Sequence, residues 1–177
     1  MDIDKKNLKE IINYRLEKLE KIKQSGINPY AYNYAKNHSI QSLIEKDDGA
    51  GGKVKTAGRI VSFRKMGKAS FAHIQDECGK IQLYLKNDLL PESLYDNIVR
   101  NLDLGDIIGC SGELFITKTG ELSIKADDIS ILSKNIRPLP NLKKKEGTVF
   151  NAFEDKELRY RSRHLDLIVN PNVREIF

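Results

Sequence analysis

The chain has 177 residues, enough for one domain of ordinary size with attachments. Hydrophobic residues make up 40% and charged residues 31%, which excludes a disordered polymer, and no apolar run nears the roughly 20 residues of a membrane-spanning helix. Thirty Lys and Arg against 25 Asp and Glu give a net charge of +5, compatible with a polyanionic partner but not diagnostic of one.

The N-terminus, Met1-Asp2-Ile3-Asp4-Lys5-Lys6, lacks the apolar core of a secretory signal and is too acidic for a transit peptide, so a cytoplasmic setting is expected. Residues 4–25 read as an amphipathic helix, with Leu8, Ile11, Ile12, Leu16, Leu19 and Ile22 at helical spacing. Asp4 is placed to cap its start, and Gly26 with Asn28-Pro29 to stop it. The opposite face carries Lys5, Lys6, Lys9, Arg15, Lys18, Lys21 and Lys23 among Glu10, Glu17 and Glu20, either a solvated face or a track for phosphates. Tyr30, Tyr32 and Tyr34 follow in a loop that either packs on the neighbouring domain or stacks on bases. Residues 46–53, with two aspartates and three glycines, read as a flexible connection.

From residue 54 the period changes from helical to alternating. Strands are expected at 54–64, 69–75 and 80–86, a helix at 91–102, and a last hairpin at 107–117 and 121–132 around Lys118-Thr119-Gly120. Three strands, a helix and two strands is the order of an OB-fold. The expected fold class is therefore mainly β: a five-stranded OB-fold barrel with a helix between strands 3 and 4, preceded by the N-terminal amphipathic helix. Residues 133–153, with Arg137-Pro138-Leu139-Pro140 and Lys143-Lys144-Lys145, read as a linker, and 154–169 as a C-terminal linker helix broken by Asn170-Pro171. The expected organisation is 1–46, helix and aromatic loop; 54–132, barrel; 133–177, linker and the start of a further domain.

Side chains alternate across a strand, so Ala72, Ile74, Ile81, Leu83 and Leu85 face the barrel interior while Phe71, His73, Gln82 and Tyr84 share the outer face. A phenylalanine there needs a reason. OB-folds bind single strands on this face of strands 2 and 3, where Phe71 offers a stacking platform and Gln82 both a donor and an acceptor. Arg64, ending the first strand, is placed to reach a phosphate or lie over a base. The alternative is a cover of loop or helix over Phe71. Cys78 and Cys110 make no disulfide framework or zinc spacing, and His38, His73 and His164 are far apart, so no metal site and no catalytic residue is expected.

The run Arg64-Lys65-Met66-Gly67-Lys68-Ala69-Ser70-Phe71-Ala72-His73-Ile74-Gln75-Asp76, then Gly79-Lys80-Ile81-Gln82-Leu83-Tyr84, resembles the anticodon-binding region of lysyl-tRNA synthetases. Leu104-Gly105-Asp106-Ile107-Ile108-Gly109, Thr117-Lys118-Thr119-Gly120-Glu121-Leu122-Ser123 and Glu157-Leu158-Arg159-Tyr160-Arg161-Ser162-Arg163-His164-Leu165-Asp166-Leu167 continue the resemblance in order. It implies a region that reads the uridine-rich anticodon loop of tRNA(Lys). Phe71 would stack on the central uridine and Gln82 read the same base, with Arg64 and Glu121 the other two anticodon contacts. The resemblance also implies a parent ligase that joins lysine to tRNA with ATP and magnesium in a class II catalytic domain whose first motif begins near residue 177. The parent is expected to be a homodimer, and this region alone a noncatalytic monomer. Aspartyl- and asparaginyl-type anticodon domains, a free-standing single-strand binder and a protein-binding OB module are the alternatives.

Overall fold

The computed structural model describes residues 2–45, 52–67, 69–140, 142–145, 148–151 and 155–177. Two compact units are present, residues 1–137 and 138–177. The first is built on five strands: β1 (Lys53–Met66), β2 (Ala69–Gln75), β3 (Lys80–Lys86), β4 (Ile107–Ile116) and β5 (Leu122–Ser133). They pair in the order β1-β2-β3-β5-β4, and β4 returns to β1, closing a barrel. All pairs are antiparallel except β3 with β5.

The alternating pattern sets the faces. Ala72 and Ile74 of β2, Ile81, Leu83 and Leu85 of β3, and Ile124 and Ala126 of β5 are buried inside, as period-2 burial of one sheet face requires. Between β3 and β4 lie α3 (Glu92–Asn97) and a 3-10 turn (Val99–Asn101), whose Tyr95, Ile98 and Val99 join the same core.

Helix α1 (Asp2–Gln24) starts before Asp4, so Asp4 lies within it and is not its cap. Its end is closed as expected. Gly26, at φ 80°, donates from its N–H to the Lys23 carbonyl, and Ile27 donates to the Ile22 carbonyl. Its buried face differs from the expected one: Arg15, Lys18, Leu19 and Ile22 are buried, whereas Ile11 and Leu16 are exposed. The reason is a set of ion pairs beneath the helix. Lys18 Nζ lies 2.6 Å from Asp103, and Lys134 Nζ lies 2.6 Å from Asp103 and 2.7 Å from Asp106. Arg15 donates to the Asn135 carbonyl at 2.9 Å. Burial opposes ionisation of Asp103, but its bonds from Lys134 and Lys18 hold the carboxyl below the usual carboxylate range. Burial pushes Asp106 up despite its bonds from Lys134 and two backbone N–H groups.

A further helix, α2 (Ile40–Glu45), falls where no element was expected. Ser39 Oγ caps it by accepting from Ser42 N–H at 3.2 Å, Asp76 accepts from Ile40 N–H at 2.9 Å, and Ile40 and Leu43 enter the core. Of the three loop tyrosines, Tyr30 and Tyr32 are exposed. Tyr34 packs down: its ring covers Gly109 of β4, where any side chain would collide with it, and Lys55 Nζ lies 4.8 Å from its centroid. Of the connection expected at 46–53, residues 46–51 lie outside those described.

The second unit corrects the expected linker and single helix. Residues Leu142–Lys145 (β6) and Thr148–Asn151 (β7) pair antiparallel, a hairpin hidden by three lysines, which are poor strand formers. Three short helices follow, α4 (Lys156–Arg161), α5 (Arg163–Val169) and α6 (Pro171–Ile176). The break comes at Ser162, whose backbone (φ −126°, ψ 51°) is not helical. Asp155 caps α4 by accepting from Glu157 and Leu158 N–H groups. Buried Asp166 of α5 accepts from Arg159 Nε at 2.9 Å, which ties α4 to α5, and from Arg163 Nη1 of its own helix at 2.7 Å.

Candidate nucleic-acid interface

The outer face of the barrel carries two cross-strand rows. In the first, Arg64 of β1 stands opposite Phe71 of β2, Phe71 opposite Tyr84 of β3, and Tyr84 opposite Lys125 of β5. In the second, two residues away, His73 stands opposite Gln82, Gln82 opposite Ser123, and Ser123 opposite Phe115 of β4. Residues two apart share a face, so both rows point the same way. No helix or loop residue lies over Phe71 among the lining residues, which come from strands and the β4–β5 turn.

A cavity of about 590 Å³ opens on this face. Arg64, Phe71, Gln82 and Glu121, drawn from four stretches of sequence, all line it, together with Met66, Tyr84, Phe115, Thr117, Lys118 and Thr119. Three rings form its floor: Phe71 and Tyr84 lie 5.1 Å apart at 40°, and Tyr84 and Phe115 6.0 Å apart at 62°. Arg64, Lys118 and Glu121 are exposed beside the half-buried aromatics. Apolar planes below and charges beside them suit a base with its phosphate.

The polar side chains are held from behind. Glu121 Oε1 lies 2.7 Å from His73 Nε2. Gln82, only 7% exposed, donates to Ser123 Oγ at 2.9 Å. The turn that carries Glu121 is fixed by Thr117, whose Oγ1 accepts from Glu121 N–H at 3.0 Å. Phe115, Ser123 and Lys118 were missing from the expected site. Alternation along β4 could have found Phe115, since Ile108, Cys110 and half-buried Leu114 take the inner phase. Nothing in the sequence gives the parallel pairing of β3 with β5 that brings Ser123 to Gln82.

Residues 54–132 match the family of OB-fold nucleic acid binding domains of the tRNA anticodon type. This match and the strand order of the barrel agree on an OB-fold for these residues. A lysine–tRNA ligase of Fusobacterium nucleatum subsp. nucleatum is 44% identical over 174 residues, which are 98% of this chain and 34% of that protein. The chain thus spans about a third of the length of the curated relative it matches. The similarity extends beyond the OB domain to α1 and to the second unit. Among the described residues no helix is long and apolar enough to cross a membrane, and no group of His, Cys, Asp and Glu side chains is arranged to hold a metal ion.

Proposed function

We propose that this chain is the anticodon-reading region of a lysine–tRNA ligase, and that its OB face takes the anticodon loop of tRNA(Lys). The observation that carries the reading is the convergence of Arg64, Phe71, Gln82 and Glu121 on one aromatic-floored cavity. In this reading Phe71 stacks on the central uridine and Gln82 bonds to its edge. Glu121, steadied by His73, accepts from a neighbouring base, and Arg64 meets the backbone at the rim. Stacking supplies affinity whatever the base; the two neutral-to-acidic side chains supply choice.

Attachment of lysine to tRNA, with ATP and magnesium, belongs in this reading to the part of such a ligase that the chain does not span. No step of that chemistry is assigned to the residues of this chain. The region binds tRNA as a cytoplasmic monomer, within a parent that dimerises. Anisotropy titration of a uridine-rich anticodon stem-loop against a scrambled loop of equal length tests the reading. A clear preference for the first supports it. Equal binding of both favours a general single-strand binder, and binding of neither favours a protein-binding module.

A further inference from the structure

The bonds behind Gln82 determine which end of its amide meets a ligand. An amide side chain can present either a carbonyl or an NH2 group, and rotation by a half turn exchanges them. Ser123 decides between the two. Its hydroxyl has a single proton, and that proton is directed at the Glu121 carbonyl, 3.2 Å away. The Glu121 carbonyl has two lone pairs, one of which takes the Thr117 N–H at 3.0 Å, so Ser123 fills the second. The Thr117 hydroxyl also lies 3.2 Å from that carbonyl, but it has a second hydroxyl to bond in Thr119 Oγ1 at 3.0 Å.

With its proton committed, Ser123 Oγ meets Gln82 only as an acceptor. The NH2 group of Gln82 therefore turns to Ser123, at 2.9 Å, and the amide carbonyl is left for the cavity that Gln82 lines. The reversed amide would set a carbonyl oxygen against a hydroxyl lone pair. Water does not relieve that clash readily, because Ser123 is 0% and Gln82 7% exposed.

We infer that Ser123 is a positioning residue that sets the base choice of this face by holding Gln82 acceptor-outward. An outward carbonyl accepts from a ring N–H, which uracil and guanine carry on their pairing edge. It repels the bare ring nitrogen that cytosine and adenine present there. Gln82 without Ser123 would turn to satisfy either kind of base. Specificity would then rest on stacking, which is tolerant of sequence.

The inference rests on the anticodon reading, and the test separates the two. Stem-loops with uridine, cytidine or 3-methyluridine at the central anticodon position are titrated against the chain and against Ser123→Ala and Ser123→Thr, with melting curves for each protein. The methylated base keeps the ring and its stacking but lacks the N–H. Wild-type protein that does not prefer uridine would overturn the anticodon reading itself. With that preference in hand, Ser123→Ala should lower the uridine-to-cytidine affinity ratio about five- to tenfold and raise relative affinity for 3-methyluridine, while Ser123→Thr, which keeps the hydroxyl, retains the wild-type ratio. An unchanged ratio in Ser123→Ala, or an equal loss on all three loops, would overturn the inference, since a merely structural hydroxyl weakens every loop alike.

Discussion

Two parts of the barrel are rich in polar groups, and they use them in opposite ways. Beneath α1, Lys18, Lys134, Asp103 and Asp106 are mostly or wholly buried and spend their charges on one another. On the outer face, Arg64, Lys118 and Glu121 remain exposed around half-buried rings, and the buried side chains, Gln82 and Ser123, are uncharged. Charge alone is thus a poor guide to a binding surface. Lys18 and Arg15, which belong by sequence to a basic helical face, anchor the helix instead. A buried pair is costly to break and adds little when kept, whereas an open aromatic floor costs the fold little to lose.

The sharpest way to break that comparison is Lys134→Met. It leaves buried Asp106 without its cationic partner and Asp103 with Lys18 alone, and should cost about 3–5 kcal/mol of stability by denaturant melt, with base discrimination unchanged in the protein that remains folded. Altered discrimination at intact stability would show that the two regions are not separate. The same cluster sets an acid response. Because Asp103 is held below its unfolded value, its pairing is fully present above about pH 4 and is lost as pH falls through the folded value. Asp106 is shifted the other way, so its contribution grows as pH falls and partly offsets this. Asp103→Asn should therefore flatten the acid limb of the melting temperature against pH, and an unaltered limb would assign acid sensitivity elsewhere.

On the other face, Phe71→Ala should lose about 1–3 kcal/mol of stem-loop binding with its circular dichroism unchanged. An unfolded variant would place the ring in the core. Gln82→Ala and Glu121→Ala should each cut cognate-over-scrambled discrimination by about 1 kcal/mol, more than they lower binding to any one loop. Equal losses on both loops would remove them from base reading. The smallest effect belongs to Arg64→Ala, which should weaken all loops alike and shallow the log–log salt dependence by about 0.7 for one backbone contact. A change confined to the cognate loop would make Arg64 a base reader.

What was legible follows from period. Alternation over β2 and β3 fixes both faces by itself, because a slip of one residue would bury Gln82 and Tyr84 inside the barrel and expose Leu83. That is why the outer-face placement of Phe71 and Gln82 follows from the sequence. Three features were not. The face that α1 buries is selected by Asp103, 85 residues beyond Lys18, and the Asn135 carbonyl, 120 residues beyond Arg15, and no local pattern carries that information. The six residues of α2 form too short a window for a helical period, and the helix depends on Asp76 from the β2–β3 turn. The β6–β7 hairpin pairs three lysines against Thr148, Val149 and Phe150, so one of its strands looks like a solvated tract.

The parallel pairing of β3 with β5 also bears on the order of events as the chain folds. Phe71 and Tyr84 come from a local hairpin, closed by the short turn between β2 and β3. Gln82 gains its orientation from Ser123, 41 residues later, through a pairing that forms only once α3 and β4 have been threaded between. Contacts at such separation form late, because loop-closure entropy must be met before they contribute. During synthesis the Phe71–Tyr84 ring pair therefore forms before the Gln82 amide is oriented. A nascent chain that has emerged only as far as residue 101 carries the rings of the proposed site without the hydroxyl that would set its choice of base.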